Sequence, residues 1–302
     1  MTMRVATFAL NERMLGAALR TQAKLAAQQV QEATGLKSTD YSGLGATSRQ
    51  LLDLQVSVAR SKSYADAATS ANSRATAMSN ALSSMSDLIS QFRAQLVEST
   101  NNLGSGASTL QETARQLLTE FAAQLNTRLE GRYVFAGSAT DRQPVDTSAL
   151  TTTPSSPTTA NTAYYRGNSE VTSVRVSDDQ VVRYGITADN PAFEETLRAL
   201  NLVANAATLD TTTLDEATSL TLDGLDRLLA VQGKLSVDTA TMQRAIDNHA
   251  DYQTFAASLG TDLNSVDVAA LTAQMSAYQT QLEASYSAIA RISNLNLVDF
   301  LK

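Results

Sequence analysis

"LTAQMSAYQTQLEASYSAIARISNLNLVDFLK", residues 271–302, is the stretch from which the fold can be read. Apolar side chains recur at Leu271, Met275, Tyr278, Leu282, Tyr286, Ile289, Ile292 and Leu295, in steps of three and four. That spacing puts them on one stripe of an α-helix. From position 267 onward only Asp267, Glu283, Arg291, Asp299 and Lys302 are charged. A charge-poor amphipathic helix has to be covered by other protein, and the rest of the chain must supply the cover.

Reading inward from the two ends gives matching pieces. Residues 5 to 33 form a helical pattern with Phe8, Leu15, Leu19, Ala26, Val30 and Ala33 on one side, broken by "TGLKSTDYSGLG" at 34–45. A second pattern runs from 47 to 102 through Leu51, Leu54, Val58, Ala65, Met78, Leu82, Met85, Leu88, Ile89, Phe92 and Leu96. "NNLGSGAS" then turns the chain, and Thr109 with Glu112 reads as a capping box for a helix to about 130. From the other end, the quoted helix begins near 267 with Asp267 as N-cap, after a break at "SLGTDLNSVD" (258–267). Before it a long helix over 215–259 carries Leu222, Leu225, Leu228, Leu229, Val231, Leu235, Met242, Ile246, Phe255 and Leu259, with Thr213 and Glu216 as a capping box. Each end is thus a helix, a Gly-bearing break and a longer helix. A chain that goes out and returns along one path pairs its terminal helices antiparallel, each on the other's stripe.

The middle differs in kind. "YVFAGS" (133–138) is a short β-type run, and the Ser/Thr/Pro-rich residues 145–163 read as a flexible loop. Residues 164–167, 171–176 and 180–186 alternate as strands, with "SDD" (177–179) turning the last two into a hairpin. A helix restarts at 189–206 with Asn190 as cap and Pro191 in its first turn. The expected fold class is mainly α: a long antiparallel helical bundle with paired N- and C-terminal coiled-coil helices and a small β-rich insertion. The expected domains are a terminal coiled coil (1–40 and 263–302), a helical bundle (41–132 and 207–262) and the insertion (133–206).

Composition narrows the function. A net charge of −7 argues against nucleic acid or an anionic membrane as partner. Nine acidic and three basic residues fall between 210 and 262. The chain has no Cys and one His, which excludes disulfide scaffolds, thiolate metal sites and histidine-rich ones. His249 lies near Asp247 and Asp251, but positions two apart on a helix diverge, so it reads as a solvated helix residue. Asp178 and Asp179 read as turn formers rather than paired catalytic carboxylates. "GLGATS" (43–48) lacks the Lys and spacing of a phosphate loop, and no Ser sits in a G-x-S-x-G elbow. The expectation is a non-enzyme with no cofactor and no metal. No 18-residue apolar run suggests a membrane span, and "MTMRVATFALNERML" has neither the apolar run nor the cleavage site of a signal peptide.

The two terminal helices invite a further reading. Alanines at 17, 18, 23, 26, 27 and 33, and at 269, 270, 273, 277, 284, 288 and 290, offer small-residue faces for close approach. A lone two-helix extension is marginal in water, so copies of the same ends are the expected partners. The expected self-assembly residues are Phe8, Leu15, Leu19, Ala26, Val30, Leu271, Met275, Tyr278, Leu282, Tyr286, Ile289, Ile292 and Leu295.

"YQTQLEASYSAIARISNLNLVDFLK" closely resembles the terminal helix of flagellin-like axial proteins. The "LVDFLK" ending, "GRYVFAGSATDRQPV" in the middle, and "YYRGN" followed by the "VRVSDD" hairpin resemble the hook–filament junction family, the FlgL or third hook-associated proteins of the flagellin superfamily. At the first break the chain departs from the family's pattern, with Gly35, Lys37 and Asp40 as the echoes. The resemblance implies a structural subunit joining hook to filament as a homo-oligomeric ring. It implies a hook-associated protein on the hook side, flagellin on the filament side, and a cytosolic chaperone before type III export without a cleaved signal. Flagellin itself is the alternative; a cytosolic coiled-coil adaptor is a more distant one.

Overall fold

A computed structural model of the chain describes residues 2–101 and 106–298, with side chains over 9–99 and 106–292. Contacts divide it into two units, Met1–Val58 with Thr254–Lys302, and Ala59–Gln253. The mainly helical expectation is met. Six helices carry the fold: α1 (Thr2–Thr34), α2 (Thr47–Asn101), α3 (Ala107–Leu125), α4 (Pro191–Asn205), α5 (Thr211–Asn264) and α6 (Val268–Val298). Two small antiparallel pairs lie between α3 and α4: β1 (Arg128–Leu129) with β2 (Arg132–Tyr133), and β3 (Ser173–Arg175) with β4 (Val181–Arg183).

In the first unit α1 pairs with α6. Gln28 meets Gln274 and Lys24 lies over Tyr278, so positions rising along α1 meet positions falling along α6, which makes the pair antiparallel. Gly35, with φ of 70°, closes α1 in the left-handed conformation that a side chain would strain. The two breaks are clipped together there: the Lys37 amide donates to Asn264 O (2.7 Å), and the Val266 amide donates to Gly35 O (3.0 Å). Asp267 Oδ1 accepts from the Ala270 amide at 3.0 Å, so α6 has its expected cap.

In the second unit α2 and α5 run antiparallel, joined by Asn72 to Gln243 and by Gln232 to Ser83. Along α2, Ala68, Ala71, Ala75, Met78, Leu82, Met85, Ile89, Phe92 and Leu96 are buried at steps of three and four, the rhythm of a coiled-coil seam. Leu214, Ala217, Leu228, Leu235 and Met242 answer from α5. The core thickens where α3 and α4 pack together: Phe193 meets Phe121 and Phe135 edge-to-face at centroid distances of 6.4 and 5.8 Å. Gly224 lets α5 come close, since a Cβ there would stand 2.5 Å from Thr196 Oγ1.

Several local expectations change. The long C-terminal pattern does not stop at 259; α5 continues to Asn264, and Gly260 sits close to Leu54 and Leu51 instead of breaking the helix. Thr213 does not cap α5: Asp210 accepts from the Thr213 amide at 2.8 Å, and Glu216 turns away to accept from Thr158. Nor does Thr109 cap α3, which starts at Ala107 and so already contains it; Glu112 pairs with Arg115 instead. The helix ends at Leu125 rather than near 130 because Glu130 and Gly131, both at positive φ, form the two-residue turn of the β1–β2 hairpin. Of "YVFAGS" only Tyr133 is strand, while Val134, Phe135 and Ala136 are buried outside any strand, their backbones bonded to Thr127, Ala188 and Asn168. Residues 164–167 make only an isolated bridge, Tyr165 to Val145. The Ser/Thr-rich loop is anchored, contrary to expectation: Thr158 bonds Glu216, the Asn161 amide donates to Glu194, and Asn201 donates to Thr151 O. The hairpin forms as expected, its strands shortened from 171–176 and 180–186 to 173–175 and 181–183, and Asn190 caps α4.

Candidate self-assembly surface

The expected assembly residues separate into two groups. On α6, Leu271, Met275 and Leu282 are buried, Tyr278, Ile289 and Ile292 are half-buried, and Tyr286 points out. With Ser285 in its place the covered positions run 271, 275, 278, 282, 285, 289 and 292, an unbroken alternation of four and three. This is the stripe read from the sequence, and α1 covers it. The side chains of Phe8 and Leu295 lie outside the described residues.

On α1 the seam is not the expected one. The covered positions are Asn11, Met14, Ala18, Thr21, Leu25, Gln28 and Gln31, with Ala18 at 1% and Thr21 at 9% exposure. Their steps are three and four, alternating as far as Gln28. Leu15, Leu19 and Val30, expected against α6, are 49, 55 and 57% exposed, and Ala26 beside them is exposed too. These four lie about a third of a turn round the helix from the seam. The covered positions of α1 are mostly small or polar, Met14 and Leu25 apart, while Leu15, Leu19 and Val30 face outward.

The seam's polar residues are partly paired: Gln28 Nε2 donates to Gln274 Oε1 at 2.7 Å, while Gln28 Oε1 and Asn11 Oδ1 are buried without partners. Buried amides of this kind lower the stability of a helix pair while fixing its register. The terminal pair therefore holds a weak internal seam beside an open apolar stripe. Leu52, Val56, Phe255 and Leu259, in the same unit, add further exposed apolar surface, up to 62% at Phe255. Leu259 and Phe255 had been expected on the covered face of α5, as had Leu222 and Leu229, which are also exposed.

No group of three or more His, Cys, Asp or Glu is placed to hold a metal among the described residues. None of the described helices is long and apolar enough to cross a membrane. A polar cavity of about 270 Å³ beneath residues 150–161 is lined by Thr158, Asn161, Glu194, Arg198 and Asn201, which bond one another and the loop. Asp178 and Asp179 sit in the hairpin turn, as expected.

His249 departs from its expected place in solvent. It is half-buried, stacked on Tyr64 with centroids 5.8 Å apart, and bonded through both ring nitrogens, to Ser61 Oγ (3.0 Å) and to Val176 O (2.7 Å). Its position seven residues after the buried Met242 is the signal that marks it as a seam residue of α5.

Residues 223–301 match the family model of the bacterial flagellin C-terminal helical region. No curated protein sequence matches the chain. Among solved structures, a flagellar hook-associated protein from Vibrio parahaemolyticus is similar in fold, with a TM-score of 0.60 and 15% identity over 75% of this chain and 99% of that one. FlgL of Bacillus cereus aligns with a TM-score of 0.47 and 12% identity over 71% of this chain and 98% of that one.

Proposed function

We propose that this chain, which carries a flagellin-type C-terminal helical region, is a non-enzymatic structural subunit of the bacterial flagellum. In this reading it follows type III export and joins hook to filament by self-assembly through its terminal helices. The observation that carries the reading is the outward stripe of Leu15, Leu19 and Val30 on a helix whose other face is already paired with α6. Apolar rows of this kind, on a pair whose own seam is polar and weak, gain stability when a neighbouring copy covers them. Folding of the ends is then coupled to assembly: they stay soft for export and order in the ring. The proposed neighbours are a hook-associated protein on one side and flagellin on the other, with a cytosolic chaperone holding the chain before export.

The family match supports flagellin as the second reading, since its C-terminal region is the part matched. Electron microscopy of the purified protein after seeding or salting-out separates the two. Long filaments would make the chain a filament subunit. Short or ring-like assemblies, with antibody labelling confined to the base of isolated filaments, are expected for a junction protein. A stable dimer with protected ends and no assembly would refute both.

A further inference from the structure

The β3–β4 hairpin lies against α2 and α5 within the second unit, and two kinds of contact hold it. Val176, Val182 and Tyr184 are buried in the same core as Ala68, Ala71 and Ala75 of α2 and Met242 of α5. At the turn end the contacts are polar. Tyr64 donates to Asp178 Oδ1 (2.7 Å), Arg60 pairs with Asp178 (3.2 Å), and His249 reaches the Val176 carbonyl. We infer that His249 and Ser61 form a clasp that holds the hairpin tip to α2 and α5 equally well with the imidazole neutral or protonated.

A carbonyl oxygen only accepts, so Nε2 carries hydrogen towards Val176 in either charge state. In the neutral ring Nδ1 is then an acceptor, and the Ser61 hydroxyl donates to it. In the protonated ring Nδ1 becomes a donor. Ser61 Oγ turns acceptor and sends its own hydrogen to the His249 carbonyl, already 3.4 Å away. Gln253 Nε2, 3.5 Å from Ser61 Oγ, adds a second donor to that oxygen. Both proton counts are thus accommodated by rotation of one hydroxyl, without moving the hairpin.

The surrounding charges are mixed. Arg60 and Tyr64 face the clasp from α2, and Arg175 and Asp178 from the hairpin, with Asp179 beside them; Arg175 donates to the Asp178 carbonyl. On α5, Asp247 is turned to Gln243, and Asp251 is exposed. The hydrogen bond from Tyr64, helped by Arg60, holds the Asp178 carboxyl below the usual carboxylate range, so its charge is constant from pH 5.5 to 7.5.

Hydrogen exchange of the full-length protein, followed at the amides of residues 174–183 at pH 5.5 and 7.5 and corrected for the intrinsic rate, tests the inference. Wild type is expected to show equal protection at both pH values. Ser61→Ala removes the group that can change role, and its hairpin protection should fall about tenfold at pH 5.5 relative to pH 7.5, the order expected for a lost hydrogen bond to a charged group. Amides 195–204 of α4 should stay unchanged. Ser61→Thr keeps a hydroxyl and should behave as wild type, and adding His249→Gln to Ser61→Ala should abolish the pH dependence. A wild-type hairpin that opens at pH 5.5 would overturn the inference. So would Ser61→Ala protection that is indifferent to pH, or a loss shared equally by α4.

Discussion

Replacing Leu15, Leu19 and Val30 together by Ala tests the assembly surface while sparing the fold. All three are about half exposed, at 49, 55 and 57%, and none belongs to the seam with α6. Ala favours helix more than the residues it replaces, so the isolated protein should melt within about 1 kcal/mol of wild type. Fully burying a Leu or Val side chain contributes ~1.5–3 kcal/mol; with about half still uncovered, a neighbour gains roughly 1 kcal/mol at each position. Three positions give about 3 kcal/mol for each contact, or about a hundredfold in affinity. Seeded assembly followed by pelleting across a concentration series reads this directly as a critical concentration, with circular dichroism melting as the control. A variant that pellets at the wild-type concentration would show that this stripe is not what copies bind.

The buried half of the terminal pair gives the opposite expectation. Leu282→Asp, or Ile289→Asp beside it, places an unpaired carboxylate in the α1–α6 seam at a cost of several kcal/mol, and should abolish assembly and motility while the second unit stays folded. Unchanged swimming in cells carrying either variant would contradict this. Limited proteolysis of the monomer should trim both ends together, leaving a core of residues 40 to 262, because neither terminal helix keeps its cover without the other; mass spectrometry showing one end intact would rule out the pairing. Phe193→Ala empties the edge-to-face cluster with Phe121 and Phe135 and should cost ~3–5 kcal/mol in urea unfolding. A loss below about 1 kcal/mol would mean that the α3–α4 junction is not the centre of the core.

The helices that sequence reading located best are those whose seams are made of large residues. On α6, Leu271, Met275 and Leu282 both draw the pattern and fill the seam, and of the described stripe residues only Tyr286 turns outward. On α1 size and burial part company: Ala18 and Thr21 are covered, and Leu15 and Leu19 are not. A reading that follows the largest apolar residues then selects the outward face. On α5 the reading mixes two faces: Leu222, Leu229 and Phe255 are exposed, while Leu228, Leu235 and Met242, read with them, form the seam. Phase, not size, carries the information there, and following it seven residues past Met242 reaches His249. The anchored loop was illegible for a different reason. Its low-complexity composition is the same whether or not Glu194 and Glu216 wait on other helices to bind its backbone.

The clip between the two breaks also sets an order of events. Gln28 waits for Gln274, 246 positions later in the chain, and the Lys37 amide waits for Asn264. On a chain appearing from its N-terminus, α1 emerges well before α6, the helix it pairs with. Its weak seam stays uncovered until α6 arrives, because that cover is encoded far downstream. Synthesis of α6 thus acts as a clock. A chain cut before α6 can fold its second unit and still present an unpaired α1, and only a chain that includes α6 closes the register.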